Sequence, residues 1–255
     1  MENITAEQLY FSLIGGILPA LLWLFFWLRE DSQRPEPRGL IMATFVGGML
    51  MVPTAALLQL YAKDGIFAFQ NALIYMSPLQ NFITTHVQTI IFGAWSTIEE
   101  TLKLFIAWLI AMRLKEDDEP IDAVIYMITA ALGFAALENA LFMIQKPEYL
   151  LDWSKSYAFI TGNIRFIGSS LLHTCASAIV GVSIALAFYK QKKTKIVYGA
   201  VGLITAIVLH TLFNLFIIKG SDVITFQVFS LVWLSVVMLM LFFEKIKGIN
   251  PINKI

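Results

Sequence analysis

The chain has 255 residues, 58% hydrophobic and 14% charged, with a formal net charge of zero. That balance leaves no basic footprint for nucleic acid, and a single cysteine, Cys175, excludes an intramolecular disulfide and a CxxC-type metal site. A mean hydropathy of +0.73 with long apolar runs predicts an all-α polytopic membrane bundle, and ten-residue alternating strands of a membrane barrel are absent.

Seven spans are predicted, at 7–28, 40–62, 84–112, 121–145, 160–189, 196–218 and 223–243. The first lacks a preceding basic stretch and a small-residue cleavage site, so it reads as a retained span. Pro19, Gly15 and Gly16 fall inside it, where neighbouring helices tolerate them. DSQRPEPRGL follows, and its Asp31, Glu36 and Arg38 read as a solvated turn. The connections 63–83 and 146–159 are longer and partly apolar; IFAFQNALIYM reads as an interfacial helix, a re-entrant piece or a loop. Gly181 and Ala185 read as close helix packing. No connection is long enough to fold alone, so residues 1–255 form one membrane domain, with a motif-bearing core over 84–218.

Lys and Arg set the orientation. Alternate connections and the C-terminal tail hold twelve of them, among them Arg29, Arg34, Arg38, Arg113, Lys115, Lys190, Lys195 and Lys247. The other side holds at most five: Lys63, Lys146, Lys155, Lys219 and Arg165. The N-terminus is therefore expected outside and the C-terminus in the cytoplasm of a multi-pass cell-membrane protein; an eighth span would break this alternation.

Only Lys103 is deep, and it follows two adjacent carboxylates, Glu99 and Glu100. Ionisable groups in hydrocarbon are costly and mark functional sites by default. Glu138 and Asn139 lie in the fourth span, His173 in the fifth, and His210 and Asn214 in the sixth. Counting about 1.5 Å per residue from the cytoplasmic ends places all four helices' polar groups in one slab less than about 10 Å thick. Lys103 is i,i+4 from Glu99 and i,i+3 from Glu100, so it reaches either. His210 and Asn214 are also i,i+4, and Phe134 precedes Glu138 by one turn, where it can wall a pocket. Singly, each has a plainer role. Glu100 and Lys103 can be a structural ion pair, His173 an interhelical hydrogen-bonding group, Asn214 polar glue and Arg165 a snorkelling residue. Together they ask four helices to bear separate insertion costs.

EETLK at 99–103 fits EExxK, FAALEN at 134–139 fits FxxxEN, and HTLFN at 210–214 fits HxxxN, with His173 within RFIGSSLLHTCASAIVG. In this order, and with DSQRPEPRGL after the first span, they resemble the PrsW-type intramembrane glutamic proteases, bacterial enzymes that cleave anti-sigma factors. The resemblance runs from about residue 21 to 216. That family is similar in turn to the type II CAAX prenyl endopeptidase and bacteriocin-processing superfamily. This chain departs from the superfamily's EExxxR and FxxxH at Lys103 and Glu138, which argues against prenyl-protein processing.

The resemblance implies a peptidase acting on a membrane-anchored protein, anti-sigma-factor-like in kind, with no cofactor. Glu99 would be the water-activating base and Glu100 its partner, although the two can exchange roles. His210 and Asn214 would polarise the scissile carbonyl, Glu138 and His173 would orient water or move protons, and Lys103, Phe134, Asn139 and Arg165 would support them. No Ser/His/Asp set is evident, though Ser169, Ser170 and Thr174 lie near His173. Two alternatives stay open. Glu99, Glu138, His173 and His210 can hold zinc, although HExxH is absent. The same groups also suit a proton or ion relay or a non-enzymatic binding protein, although no internal repeat supports a transporter.

Overall fold

The structure, a computed structural model, describes residues 4–30, 34–73, 77–145, 154–219 and 222–249. These residues form eight α-helices: α1 Ala6–Leu28, α2 Arg38–Ala72, α3 Ser77–Ala107, α4 Pro120–Ile144, α5 Lys155–Ile167, α6 Ser169–Leu186, α7 Lys192–Lys219 and α8 Asp222–Lys247. A π-helical turn, Trp108–Met112, extends α3. Helix starts follow local chemistry. Thr5 Oγ1 accepts from the Gln8 amide at 3.1 Å while Gln8 Oε1 accepts from the Thr5 amide at 3.2 Å, closing a capping box on α1. Pro120 opens α4, and Asp122 Oδ2 accepts from the amides of Asp118 and Glu119 at 2.9 and 2.7 Å.

Helix α4 is the hub. It packs against α1, α2, α3, α5, α6 and α8, and nearly all of its residues are buried. Its small residues allow this. A Cβ on Gly133 would overlap the Phe45 carbonyl of α2, and one on Gly48 of α2 would overlap the Ala130 carbonyl of α4, so the two backbones touch. Gly181 packs α6 on α4 in the same manner, with the Ala123 carbonyl 2.7 Å from where a Cβ would sit, as its small-residue spacing predicts.

Among the described residues, six helices are long and apolar enough to cross a membrane by length and composition: α1, α2, α4, the α5–α6 pair taken together, α7 and α8. The third predicted span, α3, is not among them because Glu99, Glu100 and Lys103 interrupt it, yet all three are buried and α3 packs against α2, α4 and α7.

Three expectations change. The second span does not stop at 62: α2 runs 35 residues, and the IFAFQNA part of the supposed interfacial or re-entrant piece is its last turns. No proline intervenes there, Gly65 is carried within the helix, and Gln70 Nε2 bonds Thr84 Oγ1 of α3 at 2.8 Å beyond the predicted end. The fifth span is not one helix. It breaks at Gly168, where a Cβ would overlap the Phe229 ring of α8, leaving α5 as a separate helix of 13 residues. Glu36 is not in a purely solvated turn, because the hydroxyl of buried Tyr126 on α4 donates to its carboxylate. Asp31, Lys146 and Lys254 lie outside the described residues.

The α3–α4 connection carries Asp117. Burial, with the nearby Asp122 carboxylate, pushes its carboxyl up to about 7 from the ordinary 3.8. The folded chain therefore binds this proton more tightly than the unfolded chain does. The resulting stability is complete below the ordinary value and is lost as pH rises through the folded one. Asp117→Asn should flatten the fall in Tm between about pH 4 and 7; an unchanged slope in thermal unfolding would refute this.

Candidate active site

Helix α3 turns both glutamates inward. Glu99 is 5% exposed, and Glu100 and Lys103 are fully buried. The Lys103 ammonium donates to Glu100 Oε1 at 2.7 Å and to His173 Nδ1 at 2.8 Å, and it sits 4.6 Å from the centre of the Phe134 ring. Its distance to Glu99 Oε2 is longer, 3.6 Å. Glu100 is saturated: Oε1 also accepts from His210 Nδ1 at 2.9 Å, and Oε2 from Ser177 Oγ at 2.7 Å. Glu99 is not. Its Oε1 accepts from Gln59 Nε2 at 2.9 Å, while Oε2 is buried without a hydrogen-bond partner among the described residues.

The two histidines are set by carboxylates behind them. An ionised carboxylate only accepts, so His210 donates from Nδ1 to Glu100, and its Nε2 lies 3.7 Å from Glu99 Oε2. His173 donates from Nε2 to Glu138 Oε2 at 2.9 Å, and its Nδ1 lies 4.0 Å from Glu99 Oε2. The rings meet edge to face, with centres 5.0 Å apart. Behind them, Arg165 Nη2 donates to Glu138 Oε2 at 3.0 Å and to Ser169 Oγ at 3.2 Å, and Arg165 Nε donates to Asn139 Oδ1. Asn139 Nδ2 in turn donates to Ser170 Oγ at 3.0 Å. Arg165 is thus tied into the site from α5 rather than snorkelling.

The structure brings together Glu99, Glu100, Lys103, Phe134, Glu138, Asn139, Arg165, His173 and His210. It does not join Asn214 to them: this residue is half-buried one turn beyond His210, with no hydrogen-bond partner among the described residues. Ser169, Ser170 and Thr174 bond to Asn139, Arg165 or backbone and none bonds an imidazole, so no serine–histidine pair forms here. Two residues were missed from the sequence. Gln59 was signalled by a lone amide inside the apolar run MVPTAALLQLYA, and Ser177 by its i,i+4 offset from His173.

The predicted four-residue metal set contracts to three. One ligand atom each from Glu99, His173 and His210 lies within 4.8 Å of the others, all buried, whereas Glu138 stands behind His173 as its hydrogen-bond acceptor. Three such donors, each imidazole backed by a carboxylate, are chemically suited to a divalent ion, and the unpartnered Glu99 Oε2 supplies the anionic member. The Lys103 ammonium beside His173 Nδ1 would have to give way to it.

Comparison with known proteins gives the family of the chain. The model of a family described as PrsW family intramembrane metalloprotease matches residues 36–243. The chain is similar to the protease PrsW of Geobacillus kaustophilus, 29% identical over 136 residues, which span 52% of this chain and 53% of that relative. It is 24% identical to the protease PrsW of Halalkalibacterium halodurans over 253 residues, 96% of this chain and all of that relative. It is 22% identical to the protease PrsW of Bacillus subtilis over 221 residues, 86% and 88% of the two chains. No solved structure matches. A multi-pass helical bundle whose matched region takes in every motif-bearing helix places this chain in the PrsW family of intramembrane proteases.

Proposed function

We propose that the chain hydrolyses a peptide bond of a single-span, anti-sigma-factor-like membrane protein, with water activated by Glu99. The observation that carries this reading is the unpartnered, buried Glu99 Oε2, facing two imidazoles held in register by other carboxylates. Glu99 Oε2 accepts a proton from water as the water oxygen adds to the scissile carbonyl carbon. The Lys103 ammonium offsets the charge that develops on the carbonyl oxygen. Glu99 then returns the proton to the departing amine nitrogen as the C–N bond breaks. Glu100 acts through others, holding Lys103 and the His210 tautomer. Glu138 does the same for His173. The free amide of Asn214 serves as a donor to the bound substrate.

A second reading has a divalent ion held by Glu99, His173 and His210, favoured by their donor atoms lying within 4.8 Å. Such an ion supplies Lewis-acid polarisation and lowers the pKa of water. Co-expression with a panel of single-span membrane proteins tests the activity, comparing wild type with His173→Ala and His210→Ala. Cleavage lost in both, with expression retained, is expected; cleavage that survives both sinks the assignment. Chelation of purified protein separates the two chemistries: activity that persists supports the glutamate reading, and loss reversed by added zinc supports the ion.

The orientation belongs to the same proposal, with the N-terminus outside. A reporter fused after Lys195, in the first turn of α7, should read as cytoplasmic; an exterior signal would overturn it.

A further inference from the structure

We infer that Gln59 is a positioning residue of this site, which selects the Glu99 oxygen left free to act; the inference rests on the proteolytic reading above. Both glutamates flank one ammonium, Lys103, and nothing in their adjacency makes them unequal. Their other partners do. Glu100 receives three donors, from Lys103, His210 and Ser177. Glu99 receives one, the Gln59 amide, on Oε1 at 2.9 Å. That donor is neutral. It fixes the carboxylate's rotation without supplying a second cation that would quench its basicity. With Oε1 tethered toward α2, Oε2 is turned toward His173 and His210.

Gln59 is itself secured. The indole Nε1 of Trp95, one turn before Glu99 on α3, donates to the Gln59 carbonyl at 3.3 Å. The α2 and α3 backbones are thereby fastened at the level of the carboxylate, and the Trp95 ring packs edge-on against Phe92. Neither residue contacts the imidazoles, and neither can serve as base or acid at this position. Gln59 therefore works through Glu99 alone.

The test uses the full chain and a single-span test protein that wild type cleaves. Gln59→Met keeps the side chain's length and removes its donor. It should lower kcat by ~10–100-fold with KM changed by less than about twofold. Trp95→Phe, which loosens the tether, should lower kcat less and in the same direction. A thermal double-mutant cycle in detergent provides a readout independent of activity: Gln59→Met should lower Tm in the wild-type background and leave it unchanged in Glu99→Ala. An unchanged kcat, a change confined to KM, or an equal Tm shift in both backgrounds would overturn the assignment. If wild type cleaves no member of the panel, the proteolytic reading falls. The cycle still decides the tether, coupling supporting it and its absence refuting it.

Discussion

Glu99→Gln should reduce cleavage by ~10²–10⁴-fold, the range expected for loss of a general base, with melting temperature close to wild type. Glutamine is isosteric, and its amide oxygen can still accept from Gln59 Nε2, so the α2–α3 fastening survives. What disappears is the proton-accepting oxygen. Among the described residues Oε2 accepts no hydrogen bond, so its replacement breaks none of those seen here. The longer approach of Lys103, 3.6 Å, is the electrostatic contact that weakens. The measurement is a single-turnover cleavage rate beside a thermal melt in the same detergent. A variant that cleaves at the wild-type rate would remove Glu99 from the chemistry, and one that fails to accumulate would make it structural.

Glu100→Leu should behave in the opposite sense and unfold the bundle more readily, by about 3–5 kcal/mol. Glu100 is fully buried and accepts from Lys103, His210 and Ser177. Its removal leaves the Lys103 ammonium buried, with His173 Nδ1 as its near partner and its closest ion pair gone, the Glu99 carboxylate standing farther off at 3.6 Å. Replacing both members of the pair, Glu100→Leu with Lys103→Met, should recover much of that loss, because no uncompensated charge then remains inside. Chemical denaturation of the two single variants and the double variant reads this directly. Additive losses would show that the ion pair is not what holds the residues.

The plan of the site was legible in the chain because a helix converts residue number into height. Apolar runs marked the helices, and the rise of about 1.5 Å per residue along them brought Glu100, Glu138, His173 and His210 to matching heights. The sorting of Glu99 from Glu100 was not legible, because depth says nothing about azimuth. Consecutive residues point about 100° apart on a helix, so both can face inward only if the helix is walled on two sides. Here α2 supplies Gln59 to Glu99, while α6 and α7 supply Ser177 and His210 to Glu100. The break at Gly168 was hidden for a related reason. Hydropathy runs unbroken from α5 into α6, and the kink is set by the Phe229 ring arriving from α8.

Composition and motif spacing were enough to specify an all-α membrane bundle and which helices carry its polar cluster, since these depend on local transfer energies and helix rise. The chemical inequality of the two glutamates, the reduction of the metal-ligand set to Glu99, His173 and His210, and the capture of Arg165 by Glu138 came from contacts between helices distant in the chain. Such contacts follow from how helices rotate about their axes to bring small residues such as Gly48 and Gly133 into register against α4 and its neighbours. That rotation is a property of the packed assembly, and no single segment encodes it.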